Sequence, residues 1–157
     1  MRRRLFVILA NPVTLTLLSV CVMALAIKAG FTHFAALDDT RLGTQELAQD
    51  LTVAEDIAVI LVALGVLLEE RGLFSAKVYG ENPPPGDHEL NEFSETYGAI
   101  LLVVGLLMEV HDQVSDPLLT NAGLDHVSVA IMLLFDAMAV AASIRYIFKF
   151  ARQRTTR

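Results

Sequence analysis

The sequence has no tryptophan, a single cysteine and few charged residues, which make up 19% of its 157 residues. A soluble domain of this length normally carries more charge, whereas 54% of this chain is hydrophobic. Because Cys21 is alone, no intramolecular disulfide can form. Phosphate-binding loops, dinucleotide-binding glycine patterns and a nucleic-acid patch are missing as well. The composition indicates a membrane protein and gives little support to an enzyme.

Four apolar stretches account for this composition, and they cover residues 5–29, 57–68, 97–108 and 127–144. They predict an all-α membrane protein, an up-down bundle of four transmembrane helices that forms one domain over residues 1–157. The expected helices cover about residues 5–29, 52–71, 88–112 and 125–149. The two middle stretches are short for a bilayer, so they reach spanning length only together with their flanking turns.

Local signals set the expected ends of these helices. Asn11, followed by a proline, is a typical N-cap for the first helix, and Gly30 is its expected stop. Gly72 is the expected end of the second helix. The three consecutive prolines in residues 82–87 predict an extended loop, after which Asp87 caps the third helix.

Two features near the first two helices have a second interpretation. The first stretch resembles a signal peptide, because three arginines precede it and Ala24 to Ala26 resemble a cleavage site. Its length and its proline favour a membrane helix instead. The second helix starts either at Thr52, which opens a capping box, or just after Thr44.

Lysine and arginine are distributed unevenly among the predicted loops. If Met1 lies inside, ten basic residues fall on the inner side, and only Lys28 and Arg41 fall on the outer side. This predicts that both termini lie inside and that the chain is a multi-pass protein of the inner (plasma) membrane. Ten acidic residues lie on the outer side, which gives that face a formal charge of −8 and would attract cations.

Histidines and carboxylates from separate helices meet at the predicted outer ends. The candidate metal ligands are His111, His126, Glu109, Asp112, Glu55 and Asp56. Such a set suits a divalent metal ion such as zinc, manganese or iron. A diffuse cation-attracting surface and merely solvated helix ends are the alternatives. Haem ligation by two of these histidines is disfavoured, because both lie at the membrane boundary.

Asp136 stands alone in an apolar run, with no basic residue at comparable depth. An ionisable group inside a membrane is costly, and it is therefore a functional-site hypothesis. Ser143 shares its stripe on the fourth helix, and Ser19 of the first helix lies at a similar depth. Either Asp136 is protonated and donates to Ser19 as a structural contact, or it exchanges a proton or cation with these serines as its relay.

The second and third helices resemble each other. Residues 55–69 align with residues 95–109 and pair glutamates and glycines, as in the inverted repeats of transporters. Antiparallel packing would bring Glu69 and Glu95 together as inner carboxylates. Gly65 and Gly105 would permit close helix contacts between copies of the chain.

The function that these features predict is cation or proton handling, by a transporter or a transport accessory that lies in the lipid bilayer as a homo-oligomer or in a larger complex. The alternative is a non-catalytic membrane subunit of a larger, possibly redox, complex. An elemental analysis and a visible absorption spectrum of the purified protein would separate these hypotheses.

Overall fold

The computed structural model describes residues 7–8, 11–37 and 45–155, apart from the side chains of residues 12, 36, 45–55 and 153–155. Helices account for almost all of the regular structure in these ranges. These helices are α1 (Pro12–Ala36), α2 (Gln45–Glu69), α3 (Arg71–Tyr79), α4 (Asp87–Val110), α5 (Asp116–Asn121) and α6 (Asp125–Thr155). A π-helical turn, His111–Ser115, joins α4 to α5. No strand occurs in the described ranges, so the prediction of an all-helical chain is confirmed there.

Three helical segments of the described chain are long and apolar enough to cross a membrane. They are Val13–Ala35, Asp87–Asn121 and Asp125–Arg152. Their outward faces carry large apolar side chains, among them Leu17 and Leu134, while their inward faces combine an apolar core with buried polar side chains such as Ser19 and Asp136. Lipid is the solvent that the exposed apolar side chains suit.

The buried residues of α1 repeat at alternating intervals of four and three. They are Leu15, Ser19, Val22, Ala26, Ala29 and His33. The same spacing continues along α4 from Leu90 to His111. It is the heptad pattern of helices that pack at a small left-handed crossing angle, and it keeps one stripe of each helix facing its neighbours.

Helix contacts give the four long helices the cyclic order α1, α2, α4, α6. The α2 and α4 backbones approach most closely, and a Cβ atom added to Gly98 would lie 2.5 Å from the carbonyl oxygen of Gly65. A Cβ added to Gly105 would likewise lie 2.7 Å from the carbonyl oxygen of Ala58. Gly65 and Gly105, which the sequence analysis assigned to contacts between copies, thus make close helix contacts within one chain.

Two predicted helix ends are wrong. Gly30 lies inside α1, which continues to Ala36, because a glycine costs a helix only about 1 kcal/mol and the residues after it are mostly apolar. Gly72 lies inside α3, since α2 already ends at Glu69 and a short helix follows where a loop was expected. The longer alternative for the second helix is the one observed, since α2 begins at Gln45.

The N-cap of the first helix is confirmed, because the Asn11 side chain accepts a hydrogen bond of 2.9 Å from the Val13 amide. The cap predicted for the third helix is wrong. Gly86 occupies that position with a φ of 79°, which a glycine adopts without strain. Asp87 is instead the first residue of α4, and its carboxylate bonds to side chains of α3 and α4.

Candidate functional site

Two ionisable side chains, which we call the central pair, meet in the buried interface between α1 and α6. His33 Nδ1 lies 2.6 Å from Asp136 Oδ2, and the two side chains are 2% and 3% exposed. The extension of α1 beyond Gly30 makes this contact possible, because it adds the last helical turn, which carries His33. The basic partner of Asp136 thus lies beyond Gly30, where the sequence analysis expected the first helix to have ended.

The second carboxylate oxygen of Asp136, Oδ1, is buried and has no hydrogen-bond partner among the described residues. Gly30 packs beside this carboxylate, and a Cβ atom added there would lie 3.9 Å from Oδ2. A carboxylate buried with one oxygen unpaired is costly, whereas proton uptake removes the charge and weakens that penalty. Asp136 therefore has one oxygen against an imidazole and a second oxygen without a hydrogen-bond partner among the described residues.

A hydrogen-bonded chain of three side chains lies nearer the start of α6. His111 Nε2 is 2.9 Å from Ser128 Oγ, and the Ser128 hydroxyl donates to Asp116 Oδ1. Because the single hydroxyl proton goes to Asp116, Ser128 accepts from His111, whose Nε2 therefore carries a proton. The π-helical turn after α4 positions this group, since it begins with His111 and ends just before Asp116. Such turns occur frequently at functional sites.

A cavity of about 80 Å³ separates this chain from the central pair. Its lining combines five polar side chains with two apolar ones, namely His33, His111, Asp112, Asp116, Ser128, Val129 and Met132. His33 therefore contacts Asp136 on one side and borders the cavity on the other. We refer to this end of the molecule, where α1 and α4 finish and α6 begins, as the His111 end.

Ser19 and Ser143, the relay partners predicted for Asp136, bond elsewhere. Each hydroxyl donates to the backbone carbonyl four residues earlier in its own helix, Ser19 over 2.9 Å and Ser143 over 2.8 Å. Tyr97 from α4 then donates its hydroxyl proton to Ser143 over 2.9 Å. The contact between Asp136 and Ser19 that the sequence suggested is replaced by the one with His33.

Aromatic rings continue the buried interface of α4 and α6 beyond Ser143. Tyr97 stacks on Tyr146 with ring centroids 4.4 Å apart, and Tyr146 stacks on Phe93 at 5.6 Å. The Tyr146 hydroxyl lies 3.5 Å from Ser94 Oγ. Lys149 lies over the outer face of Phe93, 4.0 Å from the ring centre. Polar groups are thus spaced along the interior well past the central pair.

A second buried ion pair ties α3 to α4 at the opposite end, which we call the Arg71 end. Arg71 Nη2 donates to Asp87 Oδ1 over 2.7 Å, and the two residues are 1% and 6% exposed. The other oxygen of Asp87 accepts from the Ser75 hydroxyl and from Asn91 Nδ2, the latter over 3.2 Å. Arg71 also donates to Asn91. Both carboxylate oxygens are therefore used, in contrast to those of Asp136.

The six predicted metal ligands do not come together in the part of the chain that the structure describes. His111 and Asp112 border the cavity, Glu109 is half-buried on α4, and Asp56 and His126 are exposed. The Glu55 side chain lies outside the described residues. No group of three or more histidine, cysteine, aspartate and glutamate side chains able to hold a metal was found among the described residues.

The predicted inner carboxylates Glu69 and Glu95 are exposed and line one groove of about 700 Å³ together with Glu92. The rest of that lining is mainly apolar, including Ile100, Val103 and Met138. Antiparallel packing of α2 and α4 brings the two glutamates to the same groove, as their spacing suggested. The groove faces outward from the helices, so lipid or a neighbouring chain would border it.

His33 is the functional candidate whose partner sequence reasoning missed, although a signal for it was present. His33 lies 14 residues after Ser19, which is about 40° short of four full helical turns, so the two share one stripe if the helix continues. The apolar residues around Gly30 allow that continuation. If the heptad spacing of the buried positions is continued past Gly30, His33 falls on the stripe of α1 that faces the fourth predicted helix.

Comparisons with known proteins gave no relative: no family model matches the chain, and no curated protein or solved structure matches it at a significant level. The function must therefore be argued from the geometry of the buried polar groups.

Proposed function

We propose that the chain is a small multi-pass inner-membrane protein that moves protons across the bilayer, with the His33–Asp136 pair as its proton-binding site. The fold proposed for it is an up-down bundle of four transmembrane helices, in which α2 joins the three apolar segments and both termini lie inside. The excess of lysine and arginine in the predicted inner loops supports this orientation. The His111 end then faces outward and the Arg71 end faces inward.

The observation that carries the proposal is the buried contact of 2.6 Å between His33 Nδ1 and Asp136 Oδ2, combined with the unpaired Oδ1. Histidine and aspartate can each gain or lose a proton, so the pair can hold one proton more or one fewer without any change of fold. A contact that served only for stability would normally use both carboxylate oxygens.

The distribution of the remaining buried polar groups gives further support. Along α6 they run from Ser128 through Asp136 and Ser143 to Tyr146. This interval of 18 residues corresponds to about 27 Å of helix, close to the roughly 30 Å of hydrocarbon in a bilayer. Hydroxyl and imidazole groups both donate and accept hydrogen bonds, as proton transfer requires.

A proton is favoured over a larger cation because of the size and the ligands of the site. The cavity next to His33 holds only about 80 Å³. A metal or alkali ion needs several oxygen or nitrogen ligands around one point, whereas the central pair offers one unpaired oxygen. Cation transport in the broader sense and a homo-oligomeric assembly stay predictions from the sequence.

Proton flux into proteoliposomes under an imposed potential tests the proposal. Vesicles that contain the wild-type protein should acidify faster inside, as an internal pH dye reports, than protein-free vesicles do. Asp136→Asn should abolish this difference, because an amide cannot take up or release a proton. Asp87→Asn is the matched control, with flux measured per folded molecule, since it makes the same change of carboxylate to amide in the buried pair at the Arg71 end. It should retain most of the flux.

Wild-type flux by the Asp136→Asn protein would exclude the pair as the proton-binding site. The alternative, a non-catalytic subunit of a larger membrane complex, predicts a different outcome. The wild-type protein would then show no flux, and Asp136→Asn would reduce co-purification of a partner, because a buried charge that pairs across the interface would be lost.

A further inference from the structure

The cavity at the His111 end lies between the central pair and the turn that follows α4. We infer that it is a water-filled access path to the His33–Asp136 pair, and that His111 passes protons along it. This inference rests on the proposed function, since it supplies the route by which protons reach the pair from one side. It adds the entrance and assigns a role to His111.

The size and lining of the cavity favour water as its occupant. Its volume of about 80 Å³ has room for two or three water molecules, at about 30 Å³ for each in the liquid. Buried water needs two to four polar partners, and this cavity offers two imidazoles, two carboxylates and a hydroxyl. An apolar cavity of this size would stay dry.

Both histidines border this space. His33 uses Nδ1 for Asp136, which leaves its Nε2 to exchange a proton with water. His111 uses Nε2 for Ser128, and Ser128 in turn bonds to Asp116. That chain fixes the His111 ring at the border of the cavity and joins it to a carboxylate that is half-buried.

The transfer step conserves protons. A hydronium ion in the cavity gives a proton to Nε2 of His33 while the proton on Nδ1 passes to Asp136 Oδ2. The hydronium ion becomes water, the imidazole stays neutral with its proton on the other nitrogen, and the Asp136 carboxylate becomes a carboxylic acid. The reverse sequence releases the proton. Ala139, which is fully buried, follows Asp136 on the same stripe, so the continuous polar lining lies on the His111 side.

Silver-ion access to single cysteines tests the water path. In a Cys21→Ser background, Met132→Cys places a thiol on the cavity wall, where Met132 is 7% exposed. Ala130→Cys and Leu134→Cys are the controls, because both positions are exposed on the outward face and they flank Met132 in depth. Each variant is treated with Ag⁺ in chloride-free buffer for increasing times, and is then denatured and labelled with a maleimide. The loss of labelling with time gives the rate at which Ag⁺ reaches the thiol.

The cavity thiol should be blocked at least about tenfold faster than both control thiols, because thiols that face lipid stay protonated and react slowly. Equal rates at the three positions would overturn the water path. If the three rates are equal but Asp136→Asn abolishes flux in the same preparations, the proposed proton-binding site is retained and only this access path is rejected. If that variant keeps its flux, the proposed function itself fails.

The role of His111 is tested by chemical rescue. His111→Ala should slow proton flux by at least about tenfold, which corresponds to about 1.4 kcal/mol in the barrier. Imidazole added to the buffer should restore much of that flux, because it fits the enlarged cavity and carries protons as the missing side chain did. Asp136→Asn should gain nothing from imidazole. Flux that imidazole leaves unchanged in the His111 variant would overturn the assignment.

Discussion

The molecule contains two buried pairs of an aspartate with a basic residue, and they differ in almost every other respect. At the Arg71 end, Asp87 uses both oxygens, and its partner is an arginine that stays charged. In the centre, Asp136 has one unpaired oxygen and a histidine partner that can lose its proton. On the proposed function, the first pair holds its charge permanently and the second pair changes it.

On the proposed function, this difference separates structural from functional polar groups in the interior. A permanently charged pair costs least in a core when both carboxylate oxygens have hydrogen-bond partners. Asp87 meets that condition through contacts with α3 and with the first turn of α4. Asp136 does not meet it, because its Oδ1 has no hydrogen-bond partner among the described residues. Variants of the two pairs should therefore behave differently.

The largest effect on stability should follow the removal of Arg71. Arg71→Ala leaves the Asp87 carboxylate buried without its counter-charge, which we expect to lower the free energy of unfolding by about 3 to 5 kcal/mol. His33→Ala should cost only about 1 to 2 kcal/mol, because Asp136 can be neutralised by a proton. Unfolding in mild detergent, followed by circular dichroism, measures both. Equal losses would remove the distinction between the pairs.

An intermediate effect is expected where α2 and α4 meet. Gly98→Ala would place a methyl group 2.5 Å from the carbonyl oxygen of Gly65, and forcing the helices apart should cost at least about 1 to 3 kcal/mol. Gly72→Ala is the control, because a Cβ atom there meets nothing within 4 Å. It should be neutral or stabilise α3 by up to about 1 kcal/mol. A neutral Gly98→Ala protein in the same unfolding assay would contradict the close packing.

The smallest effects should come from the tyrosine hydroxyls. Tyr97→Phe removes a donor that lies 2.9 Å from Ser143 Oγ and should cost about 0.5 to 1.5 kcal/mol. Tyr146→Phe removes a hydroxyl that is 3.5 Å from Ser94 Oγ, and its cost should be smaller because the bond is longer. The same unfolding assay ranks them. A larger loss for Tyr146→Phe would mean that these distances do not rank the two contacts.

Sequence reasoning predicted the helical class because apolar runs at helical spacing are a local signal. It did not predict where α1 ends, because a glycine in an apolar run ends a helix only when the residues after it are more stable in a non-helical conformation. The short helix α3 was missed for a similar reason. Its glycine was taken as an end, and its role depends on a contact between Arg71 and Asp87 that is 16 residues away along the chain.

The candidate site was partly predictable. Asp136 was identified because a lone carboxyl in an apolar run is costly wherever it lies. Its partner was not, because a pairing between His33 and a residue 103 positions later depends on how two helices align. Asp87 shows the converse error. Its position before a helix predicted a cap, but in the folded chain its carboxylate accepts a hydrogen bond from Arg71.

The most direct test compares the two aspartates in one experiment. Asp136→Asn and Asp87→Asn make the same change of carboxylate to amide in two buried pairs, and proton flux is measured per folded molecule along with the unfolding midpoint. The account predicts that Asp136→Asn loses its flux and keeps its stability, whereas Asp87→Asn loses stability and keeps its flux. Flux that survives in Asp136→Asn, or that disappears from folded Asp87→Asn, would contradict the assignment of proton transfer to the His33–Asp136 pair.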